Sequence, residues 1–139
     1  MIVDSVMTRK VVTIAPRASA REASRLMRAK AIGCLVVVDG GAPLGVVTER
    51  DLAFRVLAEG RDPDGTRVAD VMSAPVATVD PAASIEEAAM RMKQLGVKRL
   101  VVCLDGEVRG LVSATDIAYA EPEIARSFVD GWIKAQWRD

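Results

Sequence analysis

The sequence predicts an α+β protein made of two copies of one β-α-β-β-α unit, packed with pseudo-two-fold symmetry and followed by a C-terminal helix. The copies, residues 3–52 and 68–117, align without a gap at an offset of 65 positions, and a long internal repeat constrains the architecture of a fold. Apolar periodicity assigns the same order of strands and helices to both copies. Because a unit of about 50 residues buries little surface, we expect the two copies to fold together as one body within the 139-residue chain.

The first half of copy one is a strand followed by a helix. The run Val11–Ile14 is β-branched and is closed by Pro16, which predicts a strand. Ser19, with Glu22 three residues later, has the spacing of a capping box. Apolar residues then recur at helical spacing as far as Ala31, so this segment is predicted to be a helix.

The second half of copy one is a β-hairpin that leads into another helix. Cys34–Val38 is a nearly continuous apolar run, typical of a buried strand, and Asp39–Gly41 has the composition of a turn. Leu44–Val47 is predicted to be the antiparallel partner strand, and a helix is predicted from Thr48 to Leu57. Copy two repeats this order, with strands at Val76–Val79, Leu100–Leu104 and Val108–Val112 and with helices that begin at Ser84 and Ser113.

The chain therefore divides into four segments. We assign residues 1–58 to the first repeat, 59–67 to a linker, 68–120 to the second repeat and 121–139 to a helical tail. The linker contains Gly, Pro and Asp, which predicts a loop. The tail places apolar residues on one helical face, which must bury either against its own chain or in a dimer. These residues are Ile124, Phe128, Trp132 and Ile133.

Composition argues against several classes of function. The chain has 19 basic and 19 acidic residues and no net charge, which removes the general attraction to nucleic-acid phosphates. It has no histidine, so imidazole acid–base chemistry is absent, and we expect no bound metal. The two cysteines, Cys34 and Cys103, lie at non-equivalent positions in or beside apolar runs and are predicted to be buried, reduced thiols. Without a signal peptide or an apolar run long enough to span a bilayer, the sequence predicts a cytoplasmic protein with no membrane contact.

The strongest local motif follows the last strand of each copy. Residues 45–51 read Gly-Val-Val-Thr-Glu-Arg-Asp, and residues 110–116 read Gly-Leu-Val-Ser-Ala-Thr-Asp. One interpretation is N-capping, since Thr and Ser are good caps and an acid in the first turn favours the helix dipole. The other is a ribose site, since a carboxylate accepts two hydrogen bonds from a 2′,3′-diol and a helix N-terminus attracts phosphate. Asp in both copies favours a shared site, on the reasoning that capping alone needs no Asp at this position.

These motifs make the repeats resemble CBS domains, and the pair resembles a Bateman module. The resemblance covers about 115 of the 139 residues. It rests on the Val-Met opening of each copy, the Val-x-Thr-Val/Ile-x-Pro strand, the Leu-Val-Val run and the Gly-φ-φ-Ser/Thr-x-x-Asp ending, where φ is apolar. It implies a non-catalytic regulatory module for energy sensing that binds an adenosine derivative, most often AMP, ADP or ATP, between the repeats.

The resemblance also implies two ligand sites, each of which draws on both repeats. In such proteins the hydroxyl and Asp of one repeat hold phosphate and ribose, while the strand starts of the other repeat hold base and phosphate. The preferred site on this chain would comprise Val46, Thr48, Arg50, Asp51, Val76, Ala77, Val97, Lys98 and Arg99. The second, weaker site would comprise Val11, Val12, Ile32, Gly33, Leu111, Ser113 and Asp116.

Charge is the reason for preferring the first of these sites. Arg50, Lys98 and Arg99 supply three candidate cations for a phosphate, and an Arg can hold a phosphate with two parallel hydrogen bonds. The matching positions of the second site hold Thr, Gly and Cys, with no cation. We therefore predict that the Asp51 site binds a phosphorylated ligand and that the Asp116 site binds weakly or is empty.

Other ligands and functions stay open at this point. The same module could bind S-adenosylmethionine or NAD, which competition against AMP would discriminate. A nucleotide hydrolase finds no support, because there is no His, no Gly-rich phosphate loop and no metal-ligand cluster. A nucleic-acid binder would need basic charge with interleaved aromatic residues. Modules of this type pair into dimers through their helices, so we expect a homodimer that signals to a separate, unknown effector protein.

Overall fold

The computed structural model describes residues 1–128 and 130, and these fall into two compact units. The first-repeat unit is Val11–Val76. The second-repeat unit joins Met1–Lys10 to the described residues from Ala77 onward. Each unit has its own three-stranded sheet.

The first-repeat unit has the sheet order β1-β2-β3, in which β1 is parallel to β2 and β2 is antiparallel to β3. The β2–β3 hairpin turns at Gly40 and Gly41, whose φ angles of 58° and 84° favour glycine. The elements are β1 (Thr13–Ile14), α1 (Ala20–Lys30), β2 (Cys34–Asp39), β3 (Ala42–Thr48), α2 (Glu49–Leu52), a π-helical segment (Ala53–Leu57) that continues α2, and α3 (Val68–Val71).

Helix α1 begins at the capping box that the sequence predicts. The Ser19 hydroxyl accepts from the Glu22 N–H at 3.0 Å, and the Glu22 carboxylate accepts from the Ser19 N–H at 3.0 Å. The apolar face of the helix then packs on the sheet, and each large aliphatic side chain buried there stabilises the fold by about 1.5–3 kcal/mol. The residues of this core are Ala23, Met27, Leu35, Val37, Val47 and Val68.

The second-repeat unit has the same topology in the order β4-β5-β6. Its elements are a 3-10 turn (Val3–Ser5), β4 (Thr78–Val79), α4 (Ile85–Leu95), β5 (Arg99–Leu104), β6 (Glu107–Ser113), α5 (Ala114–Ala120) and α6 (Pro122–Phe128). Large apolar side chains from the helices and the sheet fill its core. These include Ile85, Met92, Leu100, Ile117 and Phe128.

The opening segment of each sequence repeat packs in the unit of the other repeat. Thr8 exchanges two backbone hydrogen bonds with Leu111 of β6, at 2.8 and 2.9 Å. Ser73 exchanges two with Val46 of β3, at 2.8 and 3.1 Å. The compact units therefore do not coincide with the sequence repeats, since residues 1–10 and 68–76 have changed places.

The predicted α+β class and the strand and helix order of both repeats are confirmed. Strand β1 covers Thr13–Ile14 and is shorter than the predicted Val11–Ile14. Val12 contributes only its carbonyl oxygen to the sheet, and this oxygen accepts from the Val36 N–H at 3.1 Å. The helix predicted from Thr48 to Leu57 is α-helical only over Glu49–Leu52 and then becomes π-helical. The short helix α3 (Val68–Val71) was not predicted.

The described part of the tail packs on its own chain. Helix α6 begins at Pro122, a favourable residue for a first helical position. Phe128 is buried in the core of the second-repeat unit, and Ile124 packs against that core. Trp132 and Ile133, which the sequence places on the same face, lie outside the described residues.

Candidate ligand-binding site

The hydroxyl and aspartate at the start of α2 form a capping box. The Thr48 hydroxyl accepts from the Asp51 N–H at 3.2 Å, and Oδ2 of Asp51 accepts from the Thr48 N–H at 2.9 Å. The same arrangement opens α5, where Ser113 and Asp116 make the two bonds at 3.1 and 2.9 Å. Capping therefore accounts for an Asp at this position, contrary to expectation, because a carboxylate at the third helical position can reach back to the N-cap N–H.

The second oxygen of Asp51 is also engaged. Its Oδ1 accepts from the Ser73 hydroxyl at 2.9 Å, and the Arg55 guanidinium lies 3.9 Å away. Arg55 in turn donates to the carbonyls of Val71 and Met72 at 3.0 and 2.9 Å. Asp51 is buried, with 6% of its surface exposed. A buried carboxylate needs such partners because an unsatisfied charge is costly to desolvate.

Asp116 has fewer partners than Asp51. It is half-buried, and within the described part of the chain its Oδ1 accepts no hydrogen bond. The position that matches Ser73 is Thr8, which is exposed, and the position that matches Arg55 is Ala120. The two carboxylates therefore both cap a helix through Oδ2, and they differ in the partners of Oδ1.

Ser73 and Arg55 are the residues that sequence reasoning missed. A signal for Ser73 was present, because a hydroxyl follows the Val-Met opening in both repeats, as Thr8 and Ser73. A signal for Arg55 was also present, because it follows Asp51 by four residues, the spacing at which an acid and a base meet on one helical face. Its backbone-carbonyl partners had no such signal.

The first-repeat unit brings its predicted site residues to one end of its sheet. Strands β1 and β2 are parallel, so Val11 and Val12 precede β1 at the end where Ile32 and Gly33 precede β2. Strand β3 is antiparallel and pairs Thr48 with Cys34, which places the start of α2 at the same end. Arg50 is exposed, and its guanidinium lies 4.9 Å from the centre of the Phe54 ring. Val46 lies two residues inside the strand and pairs with Val36.

The second-repeat unit does the same with its own set. Ala77 and Val97–Arg99 lie where β4 and β5 begin, and the start of α5 lies beside them because Arg99 pairs with Ser113. Lys98 is exposed and Arg99 is half-buried. Leu111 lies within β6, opposite Val101, and Val76 belongs to the first-repeat unit. Each predicted site combines residues of both units, and that combination stays a prediction.

No metal centre is found among residues 1–128 and 130, where no group of His, Cys, Asp and Glu could hold an ion. Cys34 is buried, and burial raises the pKa of the half-buried Cys103 thiol. In the same part of the chain, no helix is long and apolar enough to cross a membrane.

A sequence profile of the CBS domain matches this chain twice, over residues 3–58 and 68–123. The chain belongs to the CBS-domain family. The two matched CBS domains contain every predicted site residue. The pair is thus a tandem CBS module, the class of regulatory and ligand-binding domain that the motifs predicted.

Relatives and solved structures agree with this assignment. The CBS domain-containing protein YhcV of Bacillus subtilis is 35% identical over 116 residues, which cover 84% of this chain and 82% of that protein. The structure of a putative signal-transduction protein with CBS domains from Burkholderia ambifaria superposes with a TM-score of 0.80 and 32% identity, covering 86% of this chain and 93% of that one. The hexameric CBS-CP12 protein from bloom-forming cyanobacteria gives a TM-score of 0.79 and 30% identity, covering 94% and 73%.

Proposed function

We propose that this CBS pair is a non-catalytic sensor that binds an adenine nucleotide, with AMP favoured over ADP and ATP, and signals to a partner protein. The observation that carries the proposal is the orientation of Asp51. Its Oδ2 is held by the Thr48 N–H, which fixes the carboxylate at the start of α2, and its Oδ1 already accepts a hydroxyl. A ribose diol offers that oxygen the same kind of donor.

Phosphate recognition is assigned to the second-repeat unit. Lys98 directly precedes β5 and Arg99 begins it, beside the N-terminus of α5. Arg99 suits a phosphate because its guanidinium can make two parallel hydrogen bonds, and Lys98 supplies a second charge. The remaining members of the preferred site, Val46, Val76, Ala77 and Val97, are apolar and suit the faces of an adenine ring. Arg50 is exposed at the first turn of α2 and supplies a third cation.

Titration calorimetry of the purified protein with AMP, ADP and ATP at fixed salt tests this function. One tight site per chain, with AMP binding at least as tightly as the other two, is the expected result. The absence of binding heat with all three nucleotides would contradict the proposal. The same titration with S-adenosylmethionine and NAD, alone and against AMP, would then identify which other adenosine derivative the module takes.

Sustained turnover is the outcome that would contradict a non-catalytic role. Incubation of pure protein with AMP or ATP, followed by chromatographic analysis of the nucleotides, is expected to show no conversion above the buffer control. If the protein binds a nucleotide without converting it, the signal must be a change in the conformation of the protein. A ligand can cause such a change only if it binds one of two conformations more tightly than the other.

We further propose that the chain acts as a homodimer, assembled through its helices. Phe54 and Tyr119 occupy matching positions in the two repeats and are 57% and 86% exposed. Leu57 on the same π-helical segment as Phe54 is 80% exposed. Exposed large apolar residues on matching helices suit an interface between copies. Light scattering after size exclusion should give twice the mass of the chain, and Phe54→Ser with Leu57→Ser should halve it.

A further inference from the structure

The two repeats differ in charge at the loop that joins their first long helix to the following strand. In both repeats the helix after the hairpin donates its first N–H to this loop. Glu49 donates to the Gly33 carbonyl at 3.1 Å, and Ala114 donates to the Lys98 carbonyl at 2.8 Å. The bond sets position 33 beside position 49 and position 98 beside position 114, so side chains at the paired positions compete for one space.

In the first-repeat unit the carboxylate of Glu49 fills that space. A Cβ built on Gly33 would lie 2.8 Å from Cδ of Glu49 and still closer to its Oε1. The φ angle of Gly33 is outside the left-handed range, so no turn requires glycine there. A side chain at position 33 would therefore have to displace the exposed end of the Glu49 side chain. In the second repeat, the matching positions hold Lys98 and Ala114, so the carboxylate is absent there and a cation stands in place of the glycine.

Because the residues at these paired positions differ, the net charge of the loop differs between the two repeats. Positions 98, 99 and 114 hold Lys, Arg and Ala, a total of +2, whereas positions 33, 34 and 49 hold Gly, Cys and Glu, a total of −1. The two loops thus differ by three charges. The ion pairs found among the described residues do not include Glu49. Arg28 is nearby, but its counterpart is Lys93, so a cation at that position does not distinguish the repeats.

An open cleft of about 490 Å³ lies beside this carboxylate, within the first-repeat unit. Its volume is in the range of about 300–1,000 Å³ that small-molecule sites occupy, although it is shallow and open to solvent. Its lining includes Met27, Arg28, Ile32, Gly33, Glu49 and Leu52. Ile32 and Gly33 are also members of the second predicted ligand site, so the carboxylate of Glu49 lies beside two of the residues assigned to that site.

We propose that Glu49 is a specificity-determining residue that excludes phosphorylated ligands from the second predicted site, which accepts adenosine derivatives without a phosphate group. The inference rests on the proposed function, because it assumes that this CBS pair binds adenosine derivatives. A phosphate brought against a carboxylate meets a like charge, which is strongly unfavourable at an interface. The cations that would offset it in the other repeat, Lys98 and Arg99, have no counterparts here.

The test transplants the residues of the second repeat into the first. Gly33→Lys with Glu49→Ala reproduces the pair found at positions 98 and 114. Calorimetry with AMP should give one site per chain for the wild type and two for the double variant. Glu49→Gln, which keeps size and removes charge, should tighten AMP binding at the second site by at least about tenfold. Glu59→Gln, an exposed acid elsewhere in the unit, should leave the isotherm unchanged.

Each result separates this inference from the function on which it rests. Two AMP sites in the wild type would overturn the inference and leave the sensor proposal standing. A folded double variant that stays at one site, together with an unaltered Glu49→Gln isotherm, would also overturn it. No AMP binding by the wild type would contradict the sensor proposal. Wild type saturated with AMP should still bind one equivalent of adenosine, and failure to do so would overturn the preference for unphosphorylated ligands.

Discussion

The hydroxyl of Ser73 donates to Oδ1 of Asp51 across 2.9 Å, so the carboxylate that we assign to ribose already holds a hydroxyl from its own chain. A ribose at that oxygen would replace one hydroxyl by another. Binding would then exchange one hydrogen bond of Asp51 for another rather than add one. It would also remove the side-chain bond of Ser73 to Asp51, while the two backbone hydrogen bonds between Ser73 and Val46 would still hold the segment.

Replacing Ser73 by Ala should lower the free energy of unfolding by about 1–3 kcal/mol, because a buried acceptor loses its partner. Urea denaturation measures this loss. Thr8→Ala at the matching position is the control, with an expected change within about 0.5 kcal/mol, since the described residues show no side-chain hydrogen bond for Thr8. Equal losses in the two variants would show that the Ser73–Asp51 bond contributes nothing specific.

Replacing Asp51 by Ala should abolish most AMP binding and raise the Kd for AMP by at least about tenfold. Replacing Asp116 by Ala should raise this Kd less. Asp51→Ala also leaves the Ser73 hydroxyl without its acceptor, and both variants lose a helix cap, which costs about 1 kcal/mol. Asp70→Ala controls for that loss, because Asp70 accepts from the Arg67 N–H at 3.3 Å in the same position of α3 and belongs to neither site. Comparable loss of AMP binding in the Asp51 and Asp116 variants would contradict the unequal sites.

Replacing Arg55 by Ala should lower the free energy of unfolding by about 1–2 kcal/mol. This is less than the loss of a buried, charged hydrogen bond would cost, because the Arg55 side chain is 51% exposed and solvent weakens its interactions. The variant leaves the carbonyls of Val71 and Met72 without a donor. Arg55→Lys should recover part of the loss, because an ammonium can donate hydrogen bonds but lacks the planar set of donors of a guanidinium. Thermal denaturation compares them with Arg61→Ala, an exposed Arg with no side-chain bond among the described residues. A neutral Arg55→Ala would show that the contact is incidental.

Replacing Gly45 or Gly110 by Ala should weaken the pairing of the opening segments. A Cβ on Gly110 would lie 2.7 Å from the Thr8 carbonyl oxygen, and one on Gly45 would clash with the Ser73 carbonyl oxygen. Backbone atoms cannot move aside cheaply, so we expect a loss of about 1–3 kcal/mol in each variant. Gly65→Ala is the control, because its nearest neighbour is the side chain of Asp62 at 3.2 Å. Hydrogen exchange at the Thr8 and Ser73 amides would locate the loss.

Local patterns predicted the fold where a single element carries its own signal. The Ser19 capping box and the apolar run Cys34–Val38 each specify a helix start or a buried strand without reference to distant residues. The same reading identified the Thr48–Asp51 and Ser113–Asp116 pairs. It failed where partners come from far along the chain. The bond from Ser73 to Asp51 spans 22 positions, and nothing in either local sequence shows that the two residues meet.

The exchange of opening segments bears on how such a chain could have arisen. A single ancestral copy would carry both the opening segment and the strand edge that receives one, as Thr8 with Leu111 and Ser73 with Val46 do here. If the opening segment of that copy did not pair with its own strand edge, the copy would form those hydrogen bonds by swapping opening segments with a second molecule. Gene duplication would then have tied together two partners that already depended on each other. For the same reason, an excision designed on this chain should run from Val11 to Val76 rather than follow the repeat in the sequence.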